Sequence, residues 1–548
     1  MIKWILIPLY LFIASSDLLP QNMITFQVDM RLPLQKNRFL PQRGDSLLVY
    51  GSFNLWQGNK MILEDADGDS IYTFEFVPQD TPGTVIQYKF VIHEAGGRDI
   101  WEQNPDPSNP DYGNRRFKIT GRSIRLPVAV FDLDRYLAEP EFTYNVSSLR
   151  EDFLQMRDST EALHPALYAF TDRSTFDQIF ESKLADLKTP MSGAAFLRFL
   201  APVVAKIGCG HSSIRMPENW WISQPDRFLP LQLYFTGNKV YLSSASGELQ
   251  PGSEILAINE QPMQEIVEFL YTVIPADGYN RGYQRAVLNT RFPYYYGLFY
   301  GFPEMFTVRF RDHDTGSAKE VQLNCISGAE LGKFTTMKTV LCLSWRNDPP
   351  VAILHINNFG YYAPEQEAYF REFTDSVFAA IKASETEQLI VDLRGNDGGN
   401  PFCAAYLLSY IAEEPVPYFS RPFGKYAPLA DPVPLAENRF EGELCILIDE
   451  KCFSTTGHLA ALLKYHDIGT LIGSETGGTY TCNDAKKLVV LSNTGLNLQI
   501  ARGTFAVAVR DMDRSRGVIP DLQVDQKIDD LINGTDTVLE YTLDLIGD

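Results

Sequence analysis

At 548 residues the chain exceeds one typical domain, and ~150 residues per domain suggests roughly three or four. With 45% hydrophobic and 12% aromatic residues it can fill real cores, which excludes a disordered scaffold. A formal charge of −21, with no sustained basic run, excludes a general attraction to nucleic acid or to an anionic membrane surface.

In chain order, "MIKWILIPLYLFIASS" places a lysine at position 3 before an apolar run, with small residues at 14–16. That is the layout of a secretory signal peptide, expected over 1–21. The run is short against the ~20 residues of a membrane span. The expectation is therefore a secreted or periplasmic protein, with association to the cell surface as a further location, and not an integral membrane protein.

Residues 22–128 carry "MITFQVDM", "SLLVYGSFN", "SIYTFEFV" and "VIQYKFVIH", short β-rich runs separated by turn clusters, which predict a β-sandwich. Over 140–215 the period becomes helical, predicting a small helical subdomain that ends at the glycine-bracketed turn "GCGHSSI". Residues 228–325 return to strands. There "LQPGSEILAINEQPMQEIVEFL" reads as a strand, a glycine turn, an alternating strand and an amphipathic helix, the pattern of a small peptide-binding module. From 335 to 530 near-continuous apolar runs such as "VAILHIN", "QLIVDLR" and "LCILID" alternate with helices, predicting an α/β core with mainly parallel strands. The whole is a multidomain α+β chain.

Sites in such cores lie beyond the carboxyl ends of the strands. Three segments fall there: "RGNDGGN" at 394–400, "DEKCFSTTG" at 449–457 and "GSETGGTY" at 473–480. The first lacks the Lys-Ser/Thr of a phosphate loop and fits either a backbone oxyanion hole or a tight connection. In the second, Ser454 opens a helix, as an N-cap or as a nucleophile. A nucleophile needs a base; His458 is a local candidate, and His211, in a turn of small residues, is the stronger one. The seven histidines are scattered and the seven cysteines form neither metal-like pairs nor a compact disulfide framework. No metal and no cofactor are expected.

From 143 to about 525 the chain resembles the tail-specific, or C-terminal-processing, family of serine peptidases. The likeness is greatest to the branch of the tricorn core and the retinoid-binding-protein modules. "LAPVVAKIGCGHSSI", "LQPGSEILAINEQPMQEI", "LIVDLRGNDGGN", "CFSTTGHLAALLK", "LIGSETGG" and "RGVIPDLQV" arrive in the family's order. The resemblance implies a PDZ-like module over 228–325 and a peptidase core of the ClpP/crotonase-like type. It implies Ser454 as nucleophile, with the oxyanion amides supplied by Thr455 and by the loop at Gly398 and Gly399. The lysine base of one branch would fall near Thr479, so that dyad is absent, and the other branch implies His211 as base. For the acid behind the histidine it points to Asp513, then Asp511, then Glu475. Gly457 stands where the family commonly has glutamate. The likeness implies protein or peptide substrates, with processing at recognised C-termini among the expectations.

"GSFNLW", "YKFVIH" and "IWEQNP…NRRF" resemble starch-binding modules. That implies Trp56 and Trp101 as sugar platforms, with Tyr88, Lys89, Glu102 and Asn114 as polar contacts and a glycan as a further partner. Two rival readings stand beside the peptidase: a non-catalytic protein holding a peptide or apolar ligand on the same fold, and a glycan-binding protein whose C-terminal part is scaffold.

Overall fold

A computed structural model describes residues 23–35, 37–57, 61–102, 113–120, 123–131, 143–217, 220–221, 224–335 and 340–547. The expected signal segment lies outside them, as do residues 103–112. The chain divides into two compact units, the first formed by 1–142 with 218–225 and the second by 143–217 with 226–548.

In the first unit, strand Ile24–Asp29 pairs with Ile71–Phe76, Ile124–Arg125 and Ala129–Val130. A second sheet runs Ile62–Leu63, Ser46–Gly51, Val85–His93 and Asp99–Trp101, with Arg115–Lys118 also on Val85–His93. Alternation decides which side chains meet: Phe26, Val28, Val49, Tyr88, Phe90 and Ile92 enter one shared core. A buried ion pair, Arg115 Nη2 to Glu102 Oε1 at 2.7 Å, closes its rim.

The second unit opens with three helices whose caps are legible in the sequence. Asn145, Asp172 and Ser192 accept the amides of Ser148, Thr175 and Ala195, starting Val146–Leu163, Arg173–Asp186 and Gly193–Ala205. The chain then turns through His211 into Ser213–Arg215. An antiparallel sheet follows, with Leu233–Thr236, Lys239–Leu242, Glu254–Ile258, Met305–Arg311 and Ala318–Asn324 in that order and Gln261–Pro262 on Glu254–Ile258. Helix Met263–Val273 follows the alternating strand as expected. Helix Arg281–Tyr300 does not match the expectation of strands through 325. Its aromatic-rich sequence favours strands locally. The Asn280 side chain nevertheless caps it by accepting the Tyr283 amide, and its apolar side packs on Leu233–Thr236.

The core sheet runs Leu341–Asn347, Pro350–Ile356, Gln388–Asp392, Glu443–Ile448, Thr470–Gly473 and Leu522–Gln523. Its first pair is antiparallel and the other four pairings are parallel. Helices Pro364–Ala383, Pro401–Ile411 and Thr455–Tyr465 cover one face around Leu354, Val391, Ile446 and Leu459. Helix Thr537–Gly547 covers the other through Val538, Leu539 and Leu543. Burial on both faces is why these strands read as unbroken apolar runs.

Between the fifth and sixth strands a kinked antiparallel ribbon rises. Thr481–Asp484 pairs with Gly503–Ala506, and Lys487–Val490 pairs with Asn497–Ile500. Ala485, at φ 57°, turns one pair into the other. Asn497–Ile500 also pairs with Ser213–Arg215, so the ribbon lies beside the glycine-histidine turn. Among the described residues no helix is long and apolar enough to cross a membrane.

Candidate active site

The three strand-end segments are knitted together by main-chain hydrogen bonds. The Phe453 amide donates to Asn396 O at 3.2 Å, and that of Gly478 to Cys452 O at 2.9 Å. Asp449, half-buried at the end of Glu443–Ile448, accepts the amides of Gly395 and Lys451. Two loops are thus tied to one carboxylate just before the serine.

Ser454 adopts φ 53° and ψ −121°, and its hydroxyl makes no capping hydrogen bond. A non-glycine residue held there stores about 1–3 kcal/mol of strain, which persists only where the surroundings impose it. Such a strand-to-helix elbow lifts the side chain clear of its own helix. The cap alternative is therefore set aside; the oxygen is left for other work.

That oxygen lies 3.2 Å from His211 Nε2. The imidazole is 8% exposed, stacks on the Phe453 ring at 4.8 Å, and Phe453 stacks on Tyr283 at 4.2 Å. Burial pushes its pKa down to about 4, opposed by Asp484 and assisted by Lys486. At neutral pH His211 is thus uncharged and able to accept a proton. His458 does not reach the serine: both its ring nitrogens are buried without a partner, and it packs edge-on to Tyr418 and Phe419.

The acid differs from the expectation. Asp513 accepts the amide and hydroxyl of Ser515, at 2.8 and 2.7 Å, in a turn of its own. Glu475 takes both Arg516 and the Gly517 amide. Asp511 is exposed at φ 57°. None of the three contacts His211. The carboxylate that does is Asp484, Oδ2 at 3.8 Å from Nε2, brought in by the ribbon and itself 3.8 Å from Lys486 Nζ. Its signal was faint: "NDAKK" offers an acid only once the strands on either side are known to pair with 497–506. At Thr479, where a lysine base would fall, the hydroxyl instead donates to Asp513 O.

The glycine loop also needs one correction. The Gly398 amide already donates to Asn396 Oδ1 at 2.9 Å, so it is not a free donor. The amides of Thr455 and Gly399 have no partner among the described residues. Gly398 is instead the close approach: at φ 97°, a Cβ there would lie 2.8 Å from Thr455 N and 3.0 Å from Ser454 Cβ. Gly457 has a similar explanation. A Cβ would meet the Gly478 carbonyl carbon at 2.6 Å, so the family's glutamate has no room here.

Residues 350–524 match Peptidase family S41. The matched stretch is a Peptidase family S41 domain. The chain is accordingly a serine-type peptidase. Among solved structures, mature CPAF is 15% identical with a TM-score of 0.54, covering 73% of this chain and 97% of that one. The photosystem II D1 C-terminal processing protease is 14% identical, covering 73% and 98%, with a TM-score of 0.41. A putative peptidase from Parabacteroides merdae is 15% identical, covering 74% and 97%, also at 0.41. The likeness to CPAF is one of fold. No curated protein matches the sequence.

All seven cysteines of the peptidase are free, five of them buried. For a cation, the described residues offer one acidic group, Asp65, Asp67 and Asp69, in an exposed turn. In the first unit, Trp56 and Trp101 do meet, with ring centroids 6.4 Å apart, and Trp101 remains 37% exposed. The other expected sugar contacts are buried. Tyr88 belongs to the core, Glu102 is held by Arg115 and the Phe90 amide, and Lys89 and Asn114 lie below the surface. Composition alone gives no sign that these polar groups close a rim.

Buried neutral histidines make a pH prediction. Burial holds His164 and His211 down to about 4 and His458 down to about 3. Their unfolded value is about 6.5. Between these values the unfolded chain binds protons that the folded chain refuses, so stability rises with pH across the window and is lost as pH falls from 6.5. The melting temperature is expected to drop between pH 7 and 4.5. His458→Leu, which leaves Ser454 and His211 in place, is expected to flatten part of that drop in calorimetry.

Proposed function

We propose that this S41 peptidase is exported and cleaves protein or peptide substrates, processing C-termini among them, by Ser454–His211 acyl transfer. One observation carries the reading: a strained elbow serine, free of any capping bond, 3.2 Å from a buried neutral imidazole. His211 Nε2 accepts the Ser454 proton as Oγ attacks the scissile carbonyl. The oxyanion draws on the Thr455 and Gly399 amides, and Thr455 sits at a helix start where free N–H groups and the dipole favour negative charge. Asp484, on the same side of the ring, stabilises the imidazolium. The imidazolium then protonates the leaving amine, and water attacks the acyl-enzyme with His211 again as base.

The antiparallel sheet with helix Met263–Val273 supports a PDZ-like role over 228–325, in which a substrate adds as a further strand. Export rests on the sequence of residues 1–21. Hydrolysis of an unfolded protein such as casein tests the activity. Turnover by wild type and none by Ser454→Ala supports it, whereas no turnover and no covalent labelling by wild type favours a binding protein on the same fold.

A glycan role for the first unit is favoured by the Trp56–Trp101 pair, joined by Tyr50 at 4.8 Å from Trp101. Retention on amylose, lost in Trp101→Ala, is the expected result. Equal elution of the two proteins would overturn it for that glycan.

A further inference from the structure

Behind the glycine-histidine turn lies a carboxylate that the acyl-transfer scheme has not used. Asp277 is 6% exposed and precedes Gly278, whose amide donates to Gly208 O at 3.0 Å. Its Oδ1 accepts the Gly210 amide at 2.8 Å, one peptide before His211. The turn has no slack on its other side, since a Cβ on Gly210 would lie 2.6 Å from the Phe453 ring. Segment 277–280 therefore grips the backbone that aims the imidazole at Ser454.

Two groups in this small region are left unsatisfied. Asp277 Oδ2 and His211 Nδ1 are both buried without a hydrogen-bond partner. Among the described residues, Asp277 Oδ2 is the one carboxylate oxygen in that state. One is an acceptor, while the other, on a ring that must take the serine proton at Nε2, carries the hydrogen. The two are complementary.

We propose that Asp277 is the positioning acid of His211, holding the turn through Gly210 and accepting the Nδ1 hydrogen when the ring takes up the Ser454 proton. The proton itself stays on the ring; Asp277 orients and stabilises the imidazolium and receives nothing covalently. The pair are not in contact in the resting chain, and the charge that develops on the ring during acyl transfer draws them together. Burial that pushes the Asp277 carboxyl up to about 7 agrees with a group kept ready without a counter-charge. The titratable groups around it are Cys209, Cys482, Tyr283 and Asp484, with Lys486 beyond Asp484. Asp484 differs in role, because it meets the ring at Nε2.

The proposal rests on the Ser454–His211 reading, and the test separates the two. Rates of fluorophosphonate labelling against pH are measured on the full chain for wild type, Asp277→Asn and Ser212→Ala. Asparagine keeps an acceptor for the Gly210 amide but removes the charge. Ser212→Ala loosens the same turn, since Ser212 Oγ accepts the Ala501 amide, without removing a charge near the ring. Asp277→Asn is expected to label on the order of a hundredfold more slowly. The midpoint of its acid limb is expected to fall, because wild type loses the Asp277 charge as pH falls through about 7 and the variant has no such charge to lose. Ser212→Ala is expected to slow labelling with the midpoint unmoved. An unshifted midpoint in Asp277→Asn overturns the proposal, whatever its rate. Should that variant not fold, a hydrogen-bonded Nδ1 proton resonance far downfield in the wild-type adduct supports the assignment, and its absence overturns it. No labelling of wild type overturns the acyl-transfer reading itself.

Discussion

Ser454→Ala is expected to lower peptide hydrolysis by a factor on the order of 10⁴ or more, with the melting transition unchanged within a few degrees. The side chain is an elbow residue whose hydroxyl makes no capping bond, so its removal takes nothing from the helix it opens. His211→Ala is expected to fall nearly as far, because an alcohol is a poor nucleophile without a base at 3.2 Å. The two losses do not add. Residues acting as one unit give a double variant about as slow as either single one, whatever residual rate the oxyanion amides supply. Steady-state kinetics on one fluorogenic peptide checks all three. A Ser454→Ala protein within tenfold of wild type would remove the serine from the mechanism.

Gly398→Ala is expected to damage both fold and catalysis. Alanine at φ 97° is strained, and its Cβ would press on Thr455 N at 2.8 Å and on Ser454 Cβ at 3.0 Å. Strain and overpacking together predict a loss of about 2–4 kcal/mol, against native stabilities of about 5–15 kcal/mol. Displacing the Thr455 amide and the neighbouring Gly399 amide also predicts a labelling rate lower by about 10²–10³, the usual effect of one missing oxyanion donor. Gly237→Ala supplies the control. It too has positive φ, 54°, but nothing lies within 4 Å of its Cβ position. It should show the strain alone, about 1 kcal/mol, and full activity. Denaturant unfolding and labelling rates separate these outcomes.

The parts of this site that sequence made legible are those fixed by short-range chemistry. The glycine-histidine turn and the strand-end segments announce themselves because tight turns and close backbone approach need glycine. The layering of the core follows from unbroken apolar runs. What sequence hid depends on pairing at long range. Asp484 reaches His211 only because Thr481–Asp484 finds Gly503–Ala506 and the continuing ribbon lies beside Ser213–Arg215. Asp277 arrives because an aromatic-rich stretch became the capped helix Arg281–Tyr300, whose leading loop folds back over the turn. The acids sought near the end of the core, Asp513 and Glu475, had nearer partners in Ser515 and Arg516. Likewise Tyr88, Glu102 and Asn114 stand where the starch-binding likeness implies sugar contacts, yet all three are buried. Gly457, a departure from the family when read as sequence, is a steric necessity once helix Thr455–Tyr465 is seen against Gly478.

The central claim is that one serine, 243 residues from its base, is the nucleophile. Peptide mapping after fluorophosphonate treatment of the full chain at neutral pH tests it most directly. A single adduct is expected, on Ser454, absent from Ser454→Ala and strongly reduced in His211→Ala. Folded wild-type protein that stays unmodified, or carries its adduct on another residue, would contradict it.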